Sequence, residues 1–244
     1  ADPMSVVMDG EGRSCFVASR WSRQLSRVDF DSERIISRVT LDFAPRNSIL
    51  LRDGKALVVS SAFGGELALV DTQSDRVIRD VKVPGHNMRG LALSPDGKEL
   101  LVTHLIGTES AATTRDNIFW GIAMTSNMRV IPVSALFDQD KSPTREAHTH
   151  FFSDPGNAAG DPGTVATLSD GTTLICYEGV GEIAVGRYYP YGFRRIPVGQ
   201  HPAAVAVSPD EKTIYVANSH SDSISVVRVA ERANVGEIAL EIRP

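Results

Sequence analysis

The stretches RGLALSPDGKELLVTHL (residues 89–105) and AAVAVSPDEKTIYVANS (203–219) repeat one design. Each is an apolar run, a tight polar turn and a second apolar run. Val, Ile and Leu alternating or clustering over a few positions mark β-strands, and Asp-Gly or Asp-Glu between them marks a hairpin turn. Related units begin at Pro3, Pro45, Met88, Pro162 and Pro202, so successive starts lie 42, 43, 74 and 40 residues apart. Each unit contains four short β runs. Four strands per unit with a period of roughly forty residues is the signature of propeller blades. A helical repeat is excluded, because Val, Ile, Ser and Thr dominate and polar turns recur at strand spacing.

The motifs SPDGK (94–98), SPDEK (208–212), YVAN (215–218) and SDSISVV (221–227) resemble the YVTN-type β-propeller repeat. That family shares its architecture with lactonase-like and quinoprotein-like seven-bladed propellers. The resemblance spans nearly the whole chain apart from about 106–118 and 137–160, and it speaks to fold far more than to chemistry. The expected fold is therefore all-β, a single propeller domain over residues 1–244 with four-stranded antiparallel blades. The blades fall at about 2–43, 44–86, 87–136, 161–199 and 200–244, with insertions at 106–118 and 137–160. Five blades are visible. Both a five-bladed ring and a fragment of a seven-bladed ring fit, the fragment better. The chain opens on ADPMSVVMDGEG, already inside a repeat, as if a signal peptide had been removed or a longer protein cut.

Bulk composition narrows the partners. The 244 residues are 42% hydrophobic and 23% charged with a net charge of −5, ordinary for a globular protein. No basic run exceeds Arg194-Arg195, which argues against nucleic acid, since phosphate binding needs clustered cations. No apolar stretch reaches the roughly 20 residues of a membrane helix. Cys15 and Cys176 sit in apolar runs and read as buried free thiols, and without CxxCH the chain carries no covalent haem motif.

Blade register sorts the loops. SPDGK and SPDEK join first to second strands at one end, and TSNM (125–128) reads as a third-to-fourth-strand turn at the same end. The opposite end receives the blade links, with Asp2, His86-Asn87, Asp161 and His201. It also receives the second-to-third-strand loops, with Ser19-Arg20-Trp21, Ser61, His104, Glu178 and Asn218-Ser219-His220. All six histidines and both insertions are thus expected on one face. The binding-face candidates are Arg20, Trp21, His86, Glu178, His201, Asn218 and His220, although a His-Pro link can serve merely to shape a turn.

For chemistry, HTH at 148–150, if extended, turns His148 and His150 to one side. With His104 they would offer three nitrogen ligands to zinc or copper. A lactonase-like set of carboxylates with Asn218 is incomplete, because Ser61 and His104 occupy two of the positions. No nucleophile elbow, P-loop or dinucleotide fingerprint occurs. DNIFWGIAMTSNMRVIPV (116–133) reads as outer strands, with a docking patch at Phe119 and Trp120 as the alternative. RYYPYGFRR (187–195) reads as a third-to-fourth-strand hairpin.

The resemblance implies a periplasmic or secreted bacterial scaffold that docks a protein partner, such as a c-type cytochrome or other redox module, on the face with the insertions. The alternative is a metal-dependent hydrolase or oxidoreductase using the histidines and carboxylates of that face.

Overall fold

The computed structural model describes residues 2–51 and 53–240, leaving aside the side chain of Tyr191. The expected fifth blade, 200–244, therefore has its last four residues outside the described region. Five four-stranded antiparallel sheets make the chain a β-propeller fold. Sheet 1 holds β1 (Pro3–Met8), β2 (Ser14–Ser19), β3 (Gln24–Asp29) and β4 (Arg34–Thr40), and sheet 2 holds β5 (Pro45–Leu50), β6 (Ala56–Ser61), β7 (Glu66–Asp71) and β8 (Arg76–Lys82). Sheet 3 holds β9 (His86–Leu93), β10 (Glu99–Gly107), β11 (Met124–Pro132) and β12 (His148–Phe151). Sheet 4 holds β13 (Pro162–Thr167), β14 (Thr173–Tyr177), β15 (Glu182–Tyr188) and β16 (Tyr191–Pro197), and sheet 5 holds β17 (Pro202–Val207), β18 (Thr213–Asn218), β19 (Ser223–Arg228) and β20 (Ala233–Ala239). Three short helices, α1 (Arg115–Phe119), α2 (Val133–Phe137) and α3 (Pro143–Glu146), belong to sheet 3's excursions.

The chain divides into two compact units, Ala1–Val102 with Arg129–His148, and Thr103–Met128 with Thr149–Pro244. In the first, β1 lies beside β5 and β5 beside β9. The Ser5 and Ser48 hydroxyls meet at 2.8 Å, and Asn47 Nδ2 donates to Arg89 O. Phe16, Leu25, Leu57 and Val59 fill the space between sheets 1 and 2, and Val58, Leu67, Leu100 and Ile131 the next layer. In the second unit β13 lies beside β17, Thr164 Oγ1 donates to Ala203 O at 2.8 Å, and Leu174, Ile183, Ile214 and Val227 form the core. The second strands β6 and β14 are buried at every position, which is why they read as unbroken apolar runs. The outer strands β8 and β20 are mostly exposed. Both cysteines are buried free thiols, and burial, followed by the nearby Glu178 charge, pushes Cys176 up to about 12.

One turn recurs at the end of each sheet where the first strand meets the second. The amide of Gly12, Gly54, Gly97, Gly171 or Glu211 donates three residues back, to the carbonyl of Asp9, Leu51, Ser94, Leu168 or Ser208. All five donors have positive φ, which glycine adopts without strain. Asp53, Asp96, Asp170 and Asp210 each accept the amide two residues on. Ser94 and Ser208 add a hydroxyl to the same carboxylate, holding Asp96 and Asp210 below the usual carboxylate range.

Sheet 3 departs from expectation in three ways. TSNM lies inside β11 and is not a turn. Residues 115–119 form α1 where outer strand was expected, because Thr114 caps the Asn117 amide and Asp116 sits in the first turn. The fourth strand, β12, lies within the expected 137–160 insertion, so α2 and α3 are an excursion between third and fourth strands. One arginine pins that excursion and another pins the segment after β12. In the first unit Arg79 donates to the carbonyls of Ala135, Leu136, Asp138 and Lys141. In the second, Arg195, paired with Glu182, donates to the carbonyls of Asn157 and Ala158. Tyr188 pairs with Tyr191, so 187–195 is the expected hairpin, and Arg195 within it is structural.

Candidate functional site

At the other end of the sheets the backbone also repeats. The amides of Arg20, Ala62, Glu178 and Ser219, each just past a second strand, donate to the carbonyls of the link residues Asp2, Ala44, Asp161 and His201. Asn87, Asp161 and His201 have φ of 56°, 55° and 55°, a region that Asn, Asp and His enter more readily than other side chains. His201-Pro202 is thus first a backbone device. The side chains on this repeated frame differ from sheet to sheet.

In the first unit the frame presents Arg20 and Trp21 after β2, and Phe63 after β6. Trp21 is 66% exposed and Phe63 58%, with ring centroids 6.1 Å apart and planes tilted 31°. The Arg20 guanidinium lies 4.8 Å from the Trp21 ring and is held by Asp2 at 2.7 Å. The Ser61 hydroxyl accepts the amides of Phe63 and Gly64, fixing the second loop. The rings border an open cleft of about 590 Å³, also lined by Arg23, Asp42, Glu66 and Lys82. His86, the first residue of β9, is half-buried.

In the second unit the frame brings together Glu178, His201, Ser219 and His220. His201 Nδ1 is 2.9 Å from Ser219 Oγ, and its Nε2 is 3.6 Å from the buried Glu178 Oε2. Its ring stacks on His220 at 4.2 Å. Gly163 makes room for this, since a Cβ there would overlap the Glu178 carboxyl. The result is a compact cluster of one hydroxyl, two imidazoles and one buried carboxylate. Asn218 is not on the surface. It is buried and donates to Ser223 and Ser225, so its role is to tie β18 to β19.

The expected metal ligands do not come together. His104 lies within β10, fully buried, its Nδ1 3.3 Å from Leu105 O. The apolar run continues past it as Leu105-Ile106, so the strand absorbs the histidine that was expected in a loop. His148 and His150 lie in β12, two strands away across β11, with His148 exposed and His150 packed edge-on to Tyr188. Two strand spacings are about 10 Å, far beyond what one zinc or copper spans at about 2 Å per nitrogen. Among the described residues no group of three or more His, Cys, Asp and Glu is placed to hold a metal ion.

A feature that sequence reading underweighted lies on the excursion after β10. Ile118 (63% exposed), Phe119, Trp120 (62%), Ile122 and Met124 crowd the solvent face of residues 118–124. The Phe119 and Trp120 rings meet edge-to-face at 5.2 Å. Hydrogen bonds from Thr108 N to Ala123 O and from Ile122 N and Ala123 N to Asn117 O fix this segment. Among the described residues no helix is long and apolar enough to cross a membrane.

The chain matches no protein-family model, and no curated protein matches it. Its fold has solved counterparts. Hydrazine synthase of Kuenenia stuttgartiensis aligns with a TM-score of 0.80 at 20% identity, over 93% of this chain and 72% of that one. A functionally unknown protein from Desulfotomaculum acetoxidans aligns at 0.70 and 16%, over 94% and 67%. The dihydro-heme d1 dehydrogenase NirN, in complex with DHE, aligns at 0.67 and 18%, over 99% and 46%. At these identities the likeness establishes the β-propeller fold alone.

Proposed function

We propose that the chain is an extracytoplasmic β-propeller scaffold that docks a protein partner, a c-type cytochrome or related redox module, through the excursion after β10. The observation that carries this is the exposed cluster Ile118, Phe119, Trp120, Ile122 and Met124. Contiguous apolar surface is uncommon on an isolated soluble protein, and aromatic residues and Met are enriched where partners bind. The segment is hydrogen-bonded into place, so little ordering entropy opposes docking. The redox partner class draws on hydrazine synthase and on NirN with its bound DHE, two proteins of the same fold.

The test is site-specific photocrosslinking in cells of the source organism, with benzoylphenylalanine at position 120 or, as control, at position 212 in the opposite-end turn. A discrete adduct from 120 that contains a c-type cytochrome or another haem protein, with none from 212, is expected. Equal adducts from both positions, or none from 120, would contradict docking. A discrete adduct with a protein lacking a redox group would contradict the partner class.

A further inference from the structure

We propose that the cleft at the ends of β2 and β6 binds a neutral carbohydrate, its pyranose rings laid on the shelf formed by Trp21 and Phe63. This does not rest on the docking reading, which concerns a different segment in the other unit.

Three observations combine. The first is that the two aromatic rings are held out in solvent. Arg20, fixed by Asp2, occupies one face of Trp21, and the loop carrying Phe63 is tied by the Ser61 hydroxyl and by Asn87 N donating to Phe63 O. The two large rings stand side by side at 6.1 Å with planes tilted 31°, an angled apolar shelf. Its π faces are electron-rich and suit the slightly positive C–H face of a sugar ring.

The second is the balance of charge. Arg20, Arg23 and Lys82 line the cleft together with Asp42 and Glu66, and Asp2 on Arg20 completes the neutralisation. Lys82 is 3.8 Å from Glu66. The site has no excess of either sign with which to select an ion. It does offer charged acceptors and charged donors in one cleft, the pairing that adjacent hydroxyl groups satisfy, each donating to a carboxylate and accepting from a cation.

The third is shape. About 590 Å³ lies within the range of ligand sites, roughly 300–1,000 Å³. The cleft is open, as an oligosaccharide running past the shelf requires. A ligand with an apolar flat face and a hydroxyl-rich edge meets all three conditions.

The chain has two tryptophans, Trp21 and Trp120, so Trp120→Phe leaves Trp21 as the sole tryptophan, read by selective excitation at the red edge of its absorption. Maltotriose, cellotriose and tri-N-acetylchitotriose are titrated to about 10 mM, a range suited to weak affinity. At least one should change Trp21 emission saturably. Phe63→Ala should weaken that response about tenfold and the gentler Phe63→Leu about threefold, as expected for an aromatic anchor. Unaltered far-UV circular dichroism in Phe63→Leu keeps the comparison valid should Phe63→Ala unfold. The proposal fails if none of the three sugars gives a saturable change, or if both Phe63 variants respond as the parent does. It fails equally if saturation appears only with trigalacturonate or tetramethylammonium, which would mean a charged ligand.

Discussion

The two ends of each sheet use the same economy of backbone and opposite policies for side chains. Where first strands turn into second strands, all five sheets share one amide-to-carbonyl closure with a left-handed residue, and four share an aspartate in the same role. Where second strands end, four sheets share an equally regular clasp to the link residue, yet the residues there are Arg20-Trp21, Ala62-Phe63, Glu178-Gly179 and Ser219-His220. Chemistry constrained by the turn repeats because the fold needs it. Chemistry free of that constraint diverges, and there the aromatic shelf and the histidine cluster arise.

Several variants probe this contrast, the largest effect first. Arg79→Ala should remove the donor that holds four carbonyls of the excursion after β11. A loss of about 2 kcal/mol is expected by urea unfolding, with new proteolytic cleavage between 138 and 147, since a lost charged donor leaves its acceptors unmet.

Asp9→Asn acts at the turn end of sheet 1. Burial raises the Asp9 pKa, but hydrogen bonds from Ser14, the Arg13 amide and Arg27 outweigh it and lower the value to about 2. A folded-state pKa below the unfolded value contributes stability above the unfolded value of 3.8, and that contribution fades as pH falls toward 2. After allowance for solvent screening the contribution is about 1 kcal/mol. Wild type should therefore approach Asp9→Asn in stability between pH 4 and pH 2, and a constant gap across that window would contradict the assignment.

His220→Ala removes a ring stacked on His201 at the exposed end. Its effect on unfolding should stay within about 0.5 kcal/mol, as for surface changes away from structural features. A larger loss would make the His201–His220 pair part of the fold.

Much of this division was legible in the repeat. The apolar runs of β2, β6, β10, β14 and β18 and the Asp-centred turns fixed the strands, because both follow local rules of periodicity and turn geometry. The position of Trp21 was legible as well. Aligning Ser19-Arg20-Trp21 with Ser61-Ala62-Phe63 would also have found Phe63, since each ring stands two residues past a strand-ending serine. Sheet 3 was harder to read. Its third and fourth strands are separated by α2 and α3, so the repeat spacing that marks the other sheets is lost. His104 looked like a loop residue because histidine is polar, but its strand continues through Leu105 and Ile106. The ligand set built on it failed for that reason. Arg79 and Arg195 carry no local signal, since their partners are backbone carbonyls 37 to 62 residues away in the chain.

The contrast between ends is tested most directly by urea unfolding of two matched sets at neutral pH. Gly54→Ala, Gly97→Ala and Gly171→Ala place a Cβ on the left-handed turn residue. Trp21→Ala, Phe63→Ala and His220→Ala strip the opposite end. Each turn variant should lose about 1 kcal/mol and each of the other three less than about 0.5 kcal/mol. If stripping Trp21, Phe63 or His220 destabilises the protein as much as the glycine substitutions do, those side chains serve the fold, and the end that carries them has no claim to be its binding end.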